Sequence, residues 1–414
     1  MASPPPPELM DELVGEILLR LPPVEPEHLF RAALVCKPWL RILCDPAFGR
    51  RYRAFHGGPP LLGLLPMIVV DQGVLGPRIF SNTSIPDFRL PGSDGCQMSP
   101  LDCRHSLVLI CIYMLGDEGD NYIVWDPIKG DKHDLPAPDI PLSVHSAAVL
   151  CAADDCDHLD CHGGPFRVVL MGTLDFVGNI AASVYSSETG VWSAPVAFDS
   201  GYEAFVRPGR GTLVGEAIYF TIWKGNAIKY EWGQNFLSMI NSPSPGILDT
   251  TLMALDDGSL GSADIEGSSL YIWSRKVNSE GAAQWIQFKV VELETIIPGT
   301  NSDVKPFVAG FAEGVGVIFI RTDVGLFNIE LKSERVRKVD RPKALFGVLS
   351  YMSFYTPVQG KQGQLDWLMK CEMAARHKME IAKYLSKLAG LVLHCYLASH
   401  FLYPIVNSDS ESWV

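Results

Sequence analysis

The sequence predicts an α+β multidomain chain: a small helical unit, then an all-β body of propeller type, then a C-terminal helix. Three observations carry this. Apolar residues recur at steps of three and four over the first fifty positions. From about residue 60 they gather into runs of five to eight bounded by Gly, Asp, Asn and Pro. Near the end the three-and-four period returns without interruption. The first and last patterns are helical and the middle one is that of buried strands.

A length of 414 residues exceeds one ordinary domain. With 47% hydrophobic and 20% charged residues the chain can bury a sizeable core, and 37 glycines with 30 prolines favour many turns. Residues 1–7 are expected to be a disordered, proline-rich lead. Met10, Leu13, Ile17 and Leu21 form one apolar stripe of a first helix, with Asp11 and Glu12 in the first turn and Pro22–Pro23 as its stop. A second helix is expected over Glu27–Cys36. Pro38 breaks it, a third helix covers Trp39–Cys44, and Asp45–Pro46 closes the segment. A three-helix unit of this size has little core of its own, which implies a partner that shares its apolar surface.

The β body is expected over 60–356. Candidate strands are Ser106–Met114, Tyr122–Trp125, Phe166–Leu174, Glu216–Ile222, Leu270–Trp273, Ile286–Val291 and Val315–Ile320. A strand–polar turn–strand unit starts at Tyr122, Ser183, Ile218, Leu270 and Leu326. Its anchors Trp125, Tyr185, Tyr230, Trp273 and Ile329 lie 60, 45, 43 and 56 residues apart, a spacing that suits one four-stranded blade per unit with insertions. The alternatives are a large β-sandwich or an irregular all-β domain.

A C-terminal helical segment is expected over 363–406, with a continuous stripe from Leu368 to Tyr396. Residues 388–406 contain no Asp, Glu, Lys or Arg and approach membrane-spanning length. His394, His400, Tyr396 and Pro404 within it argue for a helix packed on protein instead.

The net charge of −13 lies beyond residue 60, because residues 1–60 hold seven basic and seven acidic side chains. An acidic body repels nucleic acid and anionic membrane, so neither is expected as a partner. Ten cysteines without tight even spacing, and no secretory signal, imply a reducing compartment, in the cytoplasm or the nucleus.

The N-terminal segments PELMDELVGEILLRLPP and LFRAALVCKPWLRILCDPAF resemble the F-box of large plant families, especially those of grasses, over residues 8–50. Met10 stands where that family usually has proline. RHSLVLI from Arg104, HLDCHGGPFRVVLMG from His158 and EGSSLYIWSR from Glu266 resemble the β-propeller that follows the F-box in such proteins, whereas the tail after Thr356 does not resemble the usual ending. The resemblance extends the helical unit to an F-box over 8–55. It implies a substrate receptor of an SCF-type cullin–RING ubiquitin ligase, docking a Skp-type adaptor, and cullin through it, by the F-box and a target protein by the β body. The adaptor-facing positions it implies are Leu9, Leu13, Ile17, Leu18, Leu34, Val35 and Trp39. Each of these could equally serve the internal core of the helices.

Other chemistry is sparse. G-x-S-x-G, P-loop, H-E-x-x-H and dinucleotide motifs are missing from the sequence, so no enzyme and no cofactor is expected. Asp256–Asp257–Gly258 reads as a turn, and Gly209–Arg210–Gly211 as a turn and not a phosphate cradle. Trp223, Tyr230, Trp232, Trp273 and Trp285 either pack between strands or line a recognition face. Cys151, Cys156, His158, Cys161 and His162 are the densest group of possible metal ligands. Their spacing lacks the second half of a standard zinc motif, and Cys161 and His162 would point opposite ways on an extended chain. A polar loop without metal is the expectation, with Cys151, Cys156, His158 and Cys161 as the candidates should one be held. A membrane-anchored interaction protein and a propeller-type enzyme are the competing readings.

Overall fold

Alternating apolar runs become six antiparallel sheets in the computed structural model, which describes residues 10–357 except 69–76, 84–86, 91–96, 114–119, 141–143, 160, 175–177, 201–203, 245–248, 280, 298–304 and 340–344. The chain divides into two units, Met1–Gln359 and Gly360–Val414. The second, with the helix expected over 363–406, lies outside the described residues, as do the lead and Leu9.

Each sheet is one propeller blade. Blade 2 runs Gln97–Arg104, Leu107–Tyr113, Asn121–Asp126, Asp131–Leu135. Blade 3 runs Val144–Cys151, Phe166–Thr173, Asn179–Ser186, with Val191–Trp192 and Val196–Asp199 both pairing along its third strand. Blade 4 comprises Thr212–Val214, Ala217–Thr221, Ala227–Glu231 and Phe236–Ile240; blade 5, Thr251–Ala254, Leu260–Glu266, Ser269–Val277 and Ala283–Glu292. Blade 6 comprises Phe307–Ala312, Val317–Thr322, Gly325–Glu330 and Val336–Val339. Blade 1 is assembled from both ends of the body: Leu61–Ile68, Arg78–Ser81 and Phe88–Arg89 are joined by Leu345–Met352, which pairs antiparallel with Leu61–Ile68.

The first strands of successive blades pack side by side, and Leu345–Met352 sits between those of blades 6 and 2. Blades 3 and 4 are joined by a parallel bridge between Ala147 and Arg210. The ring is therefore closed, and its remaining edges lie on the outer strands of the blades. Gly310 shows how tightly it closes: a Cβ there would lie 2.3 Å from the Val348 carbonyl oxygen. Each apolar core cluster of the body joins two consecutive blades, as Val149, Leu170 and Tyr185 of blade 3 pack with Leu109 and Val124 of blade 2.

All five sequence anchors fall on the third strand of a blade. Tyr185 faces Trp192, Tyr230 faces Leu237 and Ile329 faces Val336 across the next strand pair. The interval of 60 residues contains the long connection between Cys151 and Phe166. That of 56 contains the longest hairpin, Ser269–Glu292, and a short helix, Leu293–Ile296. Blade 1 escaped the repeat because its third and fourth strands are short and its inner strand comes from the far end of the body.

The helical unit has four helices where three were expected: α1 (Asp11–Leu18), α2 (Glu27–Ala33), α3 (Lys37–Leu43) and α4 (Pro46–His56). Asp45–Pro46 is a start and not a stop. The Asp45 carboxylate accepts the Ala47 N–H at 2.8 Å and Pro46 takes the first helical position, where no N–H is needed. Pro38 likewise opens α3. Among the described residues no helix is long and apolar enough to cross a membrane, and segment 388–406 lies outside them.

Candidate functional site

The helical unit presents the first site. Val14 and Leu18 of α1 point inward and join Leu29, Ala33, Leu43, Phe48 and Tyr52 in one core cluster. Tyr52 Oη donates to the Leu21 carbonyl at 2.7 Å, and His56 Nε2 lies 2.9 Å from the Leu19 carbonyl, so α4 secures the end of α1. The same cluster takes in Phe354 and Leu159 of the propeller, and Phe30 packs on Tyr355. Part of the shortage of core in so small a unit is thus met within the chain.

The opposite side of α1 stays apolar and open. Leu13 is 47% and Ile17 52% exposed, one turn apart on one face, and Met10, one turn earlier, is 65% exposed. Val35, in the turn after α2, is 63% exposed. Leu34 is half-buried and Trp39 packs partly into the core cluster. Leu18 is corrected: at 2% exposure it belongs to the interior, because its place one residue on from Ile17 turns it about 100° around the helix. Leu9 lies outside the described residues.

A second feature lies on the inner strands of the propeller and was not singled out by sequence reasoning. Arg104 Nη2 donates to the Gly211 carbonyl at 2.9 Å and approaches Glu313 at 3.6 Å. Arg210 meets Asp102 at 3.4 Å and Glu313 at 3.0 Å, and Asp102 accepts the Val149 N–H at 2.8 Å. Blades 2, 3, 4 and 6 are tied together here. Burial raises the Glu313 carboxyl, and Arg210 and Arg104 more than offset this, holding it below the usual range. Two cations balance two anions, so the cluster has no surplus charge for a ligand; it acts as a buried brace. In the sequence Arg104 opens a familiar run and Arg210 sits in a turn, and neither pattern points to their meeting. Beside the brace, a cavity of 310 Å³ is lined by Pro59, Arg104, His105, His158, Arg210 and Glu313 among others.

The long connection of blade 3 is the third feature. Cys151 ends an inner strand, and Cys156, His158 and Cys161 follow in the loop. Their Sγ and ring nitrogen atoms all lie within 4.8 Å of one another. Asp155 and His158 take the left-handed backbone region, at φ 51° and 58°. Burial pushes the Cys151 and Cys161 thiols up. His162 does not join. Its Nδ1 is 2.8 Å from Asp126 Oδ2 and its Nε2 3.1 Å from Ser353 Oγ.

Other candidates settle into structure. Asp257 accepts the Ser259 N–H in a turn and pairs with Lys276. Tyr230 is buried, Trp232 packs on the core between blades 3 and 4, Trp285 donates to the Asn241 carbonyl at 2.8 Å, and Trp273 is half-buried; Trp223 is exposed. On the outer strand of blade 5, Ile286, Phe288 and Val290 expose an alternating apolar stripe.

Comparison with known proteins agrees with the helical unit. Residues 7–51 match the family model of the F-box domain. Over 373 residues the chain is 23% identical to an F-box protein of Arabidopsis thaliana, covering 80% of this chain and 82% of that one. Among solved structures, TolB from Acinetobacter baumannii aligns at 13% identity with a TM-score of 0.37, over 73% of this chain and 71% of that one. A chain of the Mitotic Checkpoint Complex aligns at 15% identity with a TM-score of 0.33, over 57% and 62%. The propeller rests on the sheet order and ring closure described above, not on these alignments.

Proposed function

Because the chain carries an F-box domain ahead of a six-bladed propeller, we propose that it is a substrate-receptor subunit of an SCF-type ubiquitin ligase. The observation that carries this is the apolar stripe Met10, Leu13 and Ile17, left open on a helix whose other face already fills its core. Exposed apolar surface on a small folded unit marks a protein partner. In this reading a Skp-type adaptor covers the stripe, with Val35 and the exposed parts of Leu34 and Trp39 at its border, and brings cullin with it. The propeller holds the target protein. The chain supplies geometry and no catalytic group, and works in the cytoplasm, the nucleus or both, without nucleic acid or membrane as a partner.

Co-expression with a Skp-type adaptor tests the proposal. The wild-type chain is expected to co-purify with the adaptor, and the double variant Leu13→Asp, Ile17→Asp to lose it while keeping the wild-type circular dichroism and melting temperature. Exposed positions of this kind change stability by no more than about 0.5 kcal/mol. Equal recovery of adaptor by both proteins, or by neither, sinks the proposal.

A further inference from the structure

Three thiols and an imidazole meet in the blade 3 connection. Cys156 Sγ lies 3.7 Å from Cys161 Sγ, and Cys161 Sγ lies 3.7 Å from His158 Nδ1. Zinc held tetrahedrally at about 2.3 Å from sulfur and 2.0–2.1 Å from nitrogen sets its donors about 3.5–3.8 Å apart. Two of the observed separations fall in that range, and the whole set of four within 4.8 Å needs only a small contraction.

Two of the thiols meet backbone donors, although burial holds Cys151 and Cys161 in the thiol form until a cation displaces the proton. Cys156 Sγ accepts the His158 backbone N–H at 3.4 Å, and Cys151 Sγ accepts a backbone hydrogen bond from Ala153. Backbone donors aimed at sulfur stabilise the negative charge a metal ligand needs and orient it. The His158 ring is fixed from its other face, stacked on His105 at 4.2 Å between centroids. His105 is itself held, because its Nδ1 accepts the Cys151 N–H at 3.0 Å. His158 is exposed and Cys161 buried, so the group has both a route of entry and an inner wall.

We propose that Cys151, Cys156, His158 and Cys161 form a structural zinc site. Four protein ligands close the coordination sphere, which makes the site structural and not catalytic. All four come from one stretch of chain, C-x4-C-x-H-x2-C, so the two separated ligand pairs of common zinc modules are not required. The site staples a loop that has a job at a distance. Leu159, between His158 and Cys161, packs against the F-box core, and Asp157, His158 and Leu159 line the cavity beside the F-box linker. Zinc here fixes the junction between the adaptor-binding helices and the propeller. Binding replaces thiol protons with the cation, so it is accompanied by proton release.

Purified full-length protein, reduced, supplied with zinc and then desalted, tests this by metal analysis. About one zinc per chain is expected, together with the thiolate charge-transfer and tetrahedral d–d bands when cobalt(II) replaces it. Retained zinc is expected to fall at least about tenfold in Cys156→Ser and His158→Asn, and to be unchanged in Cys44→Ser, whose thiol lies in the F-box. Chelation is expected to lower the melting temperature of wild type and leave that of Cys156→Ser unmoved. Cys156 and His158 lie in the loop, so circular dichroism separates loss of ligand from loss of fold even if Cys161→Ser, at a buried position, fails to fold. The proposal is overturned if reduced wild type retains no zinc, if Cys156→Ser retains as much as Cys44→Ser, or if peptide mapping finds a Cys156–Cys161 disulfide in protein prepared with zinc.

Discussion

Ile17 and Leu18 are neighbours in sequence and alike in chemistry, yet one is half open to solvent and the other enclosed. A step of one residue turns a side chain about 100° around a helix, and that rotation separates a binding position from a core position. The two therefore respond differently to truncation. Leu18→Ala is expected to destabilise the folded chain by about 2–5 kcal/mol, through lost burial and an unfilled cavity. A shifted urea midpoint would show it, with adaptor recovery per folded molecule unchanged. If Leu18→Ala weakened adaptor binding without moving the midpoint, Leu18 would belong to the outer face after all.

At the scale of elements, the helix α4 decides how the F-box sits. It supplies Phe48 and Tyr52 to the core and sets Tyr52 edge-on to Phe354 of the propeller. Its start rests on one side-chain hydrogen bond, from Ala47 N–H to Asp45. Asp45→Ala is expected to cost about 1 kcal/mol, and Asp45→Asn, which keeps an acceptor, much less; chemical denaturation of both variants measures the difference. Identical midpoints for Asp45→Ala and wild type would show that packing alone sets the helix start. Proline both stops a helix and starts one, and at Pro38 and Pro46 it starts one, so the local sequence leaves these boundaries ambiguous.

For the whole molecule, closure is the controlling feature. Leu345–Met352 supplies the inner strand of blade 1, so the propeller is complete only when the far end of the body returns to its beginning. A chain truncated after residue 357 is expected to keep a cooperative thermal transition close to that of the full-length protein. One truncated after residue 344 is expected to lose it, because blade 1 is then left with Leu61–Ile68 as an open edge and blade 6 without the strand packed beside Phe307–Ala312. Light scattering alongside the melt would register the aggregation such edges invite. A cooperative, soluble product ending at 344 would argue against closure as the source of stability.

Period by itself determined most of the architecture. The anchors from Trp125 to Ile329 each mark a third strand, and each of the seven candidate runs from Ser106 to Ile320 overlaps a strand; in six of them burial accounts for the apolar signature, whereas Ile286–Val291 is apolar on an exposed outer strand. The short N-terminal helices were legible in the period too, but their reading as an F-box rested on the resemblance of residues 8–50 to that family, with which the match over residues 7–51 agrees. What the tertiary structure alone decided is everything that depends on residues far apart in the chain. The Arg104–Asp102–Arg210–Glu313 brace joins positions more than two hundred residues apart, and no spacing rule reaches that far. Leu18 and Leu13 could be told apart only once the rest of the helical core was in place. The Cys151–Cys161 group was visible as a composition but not as a site: the loop that gathers its donors takes left-handed turns at Asp155 and His158, and although Asp and His tolerate that region better than most residues, they adopt it too seldom to mark it in a sequence. Local periodicity is written into a chain residue by residue; convergence is a property of the path the folded backbone takes.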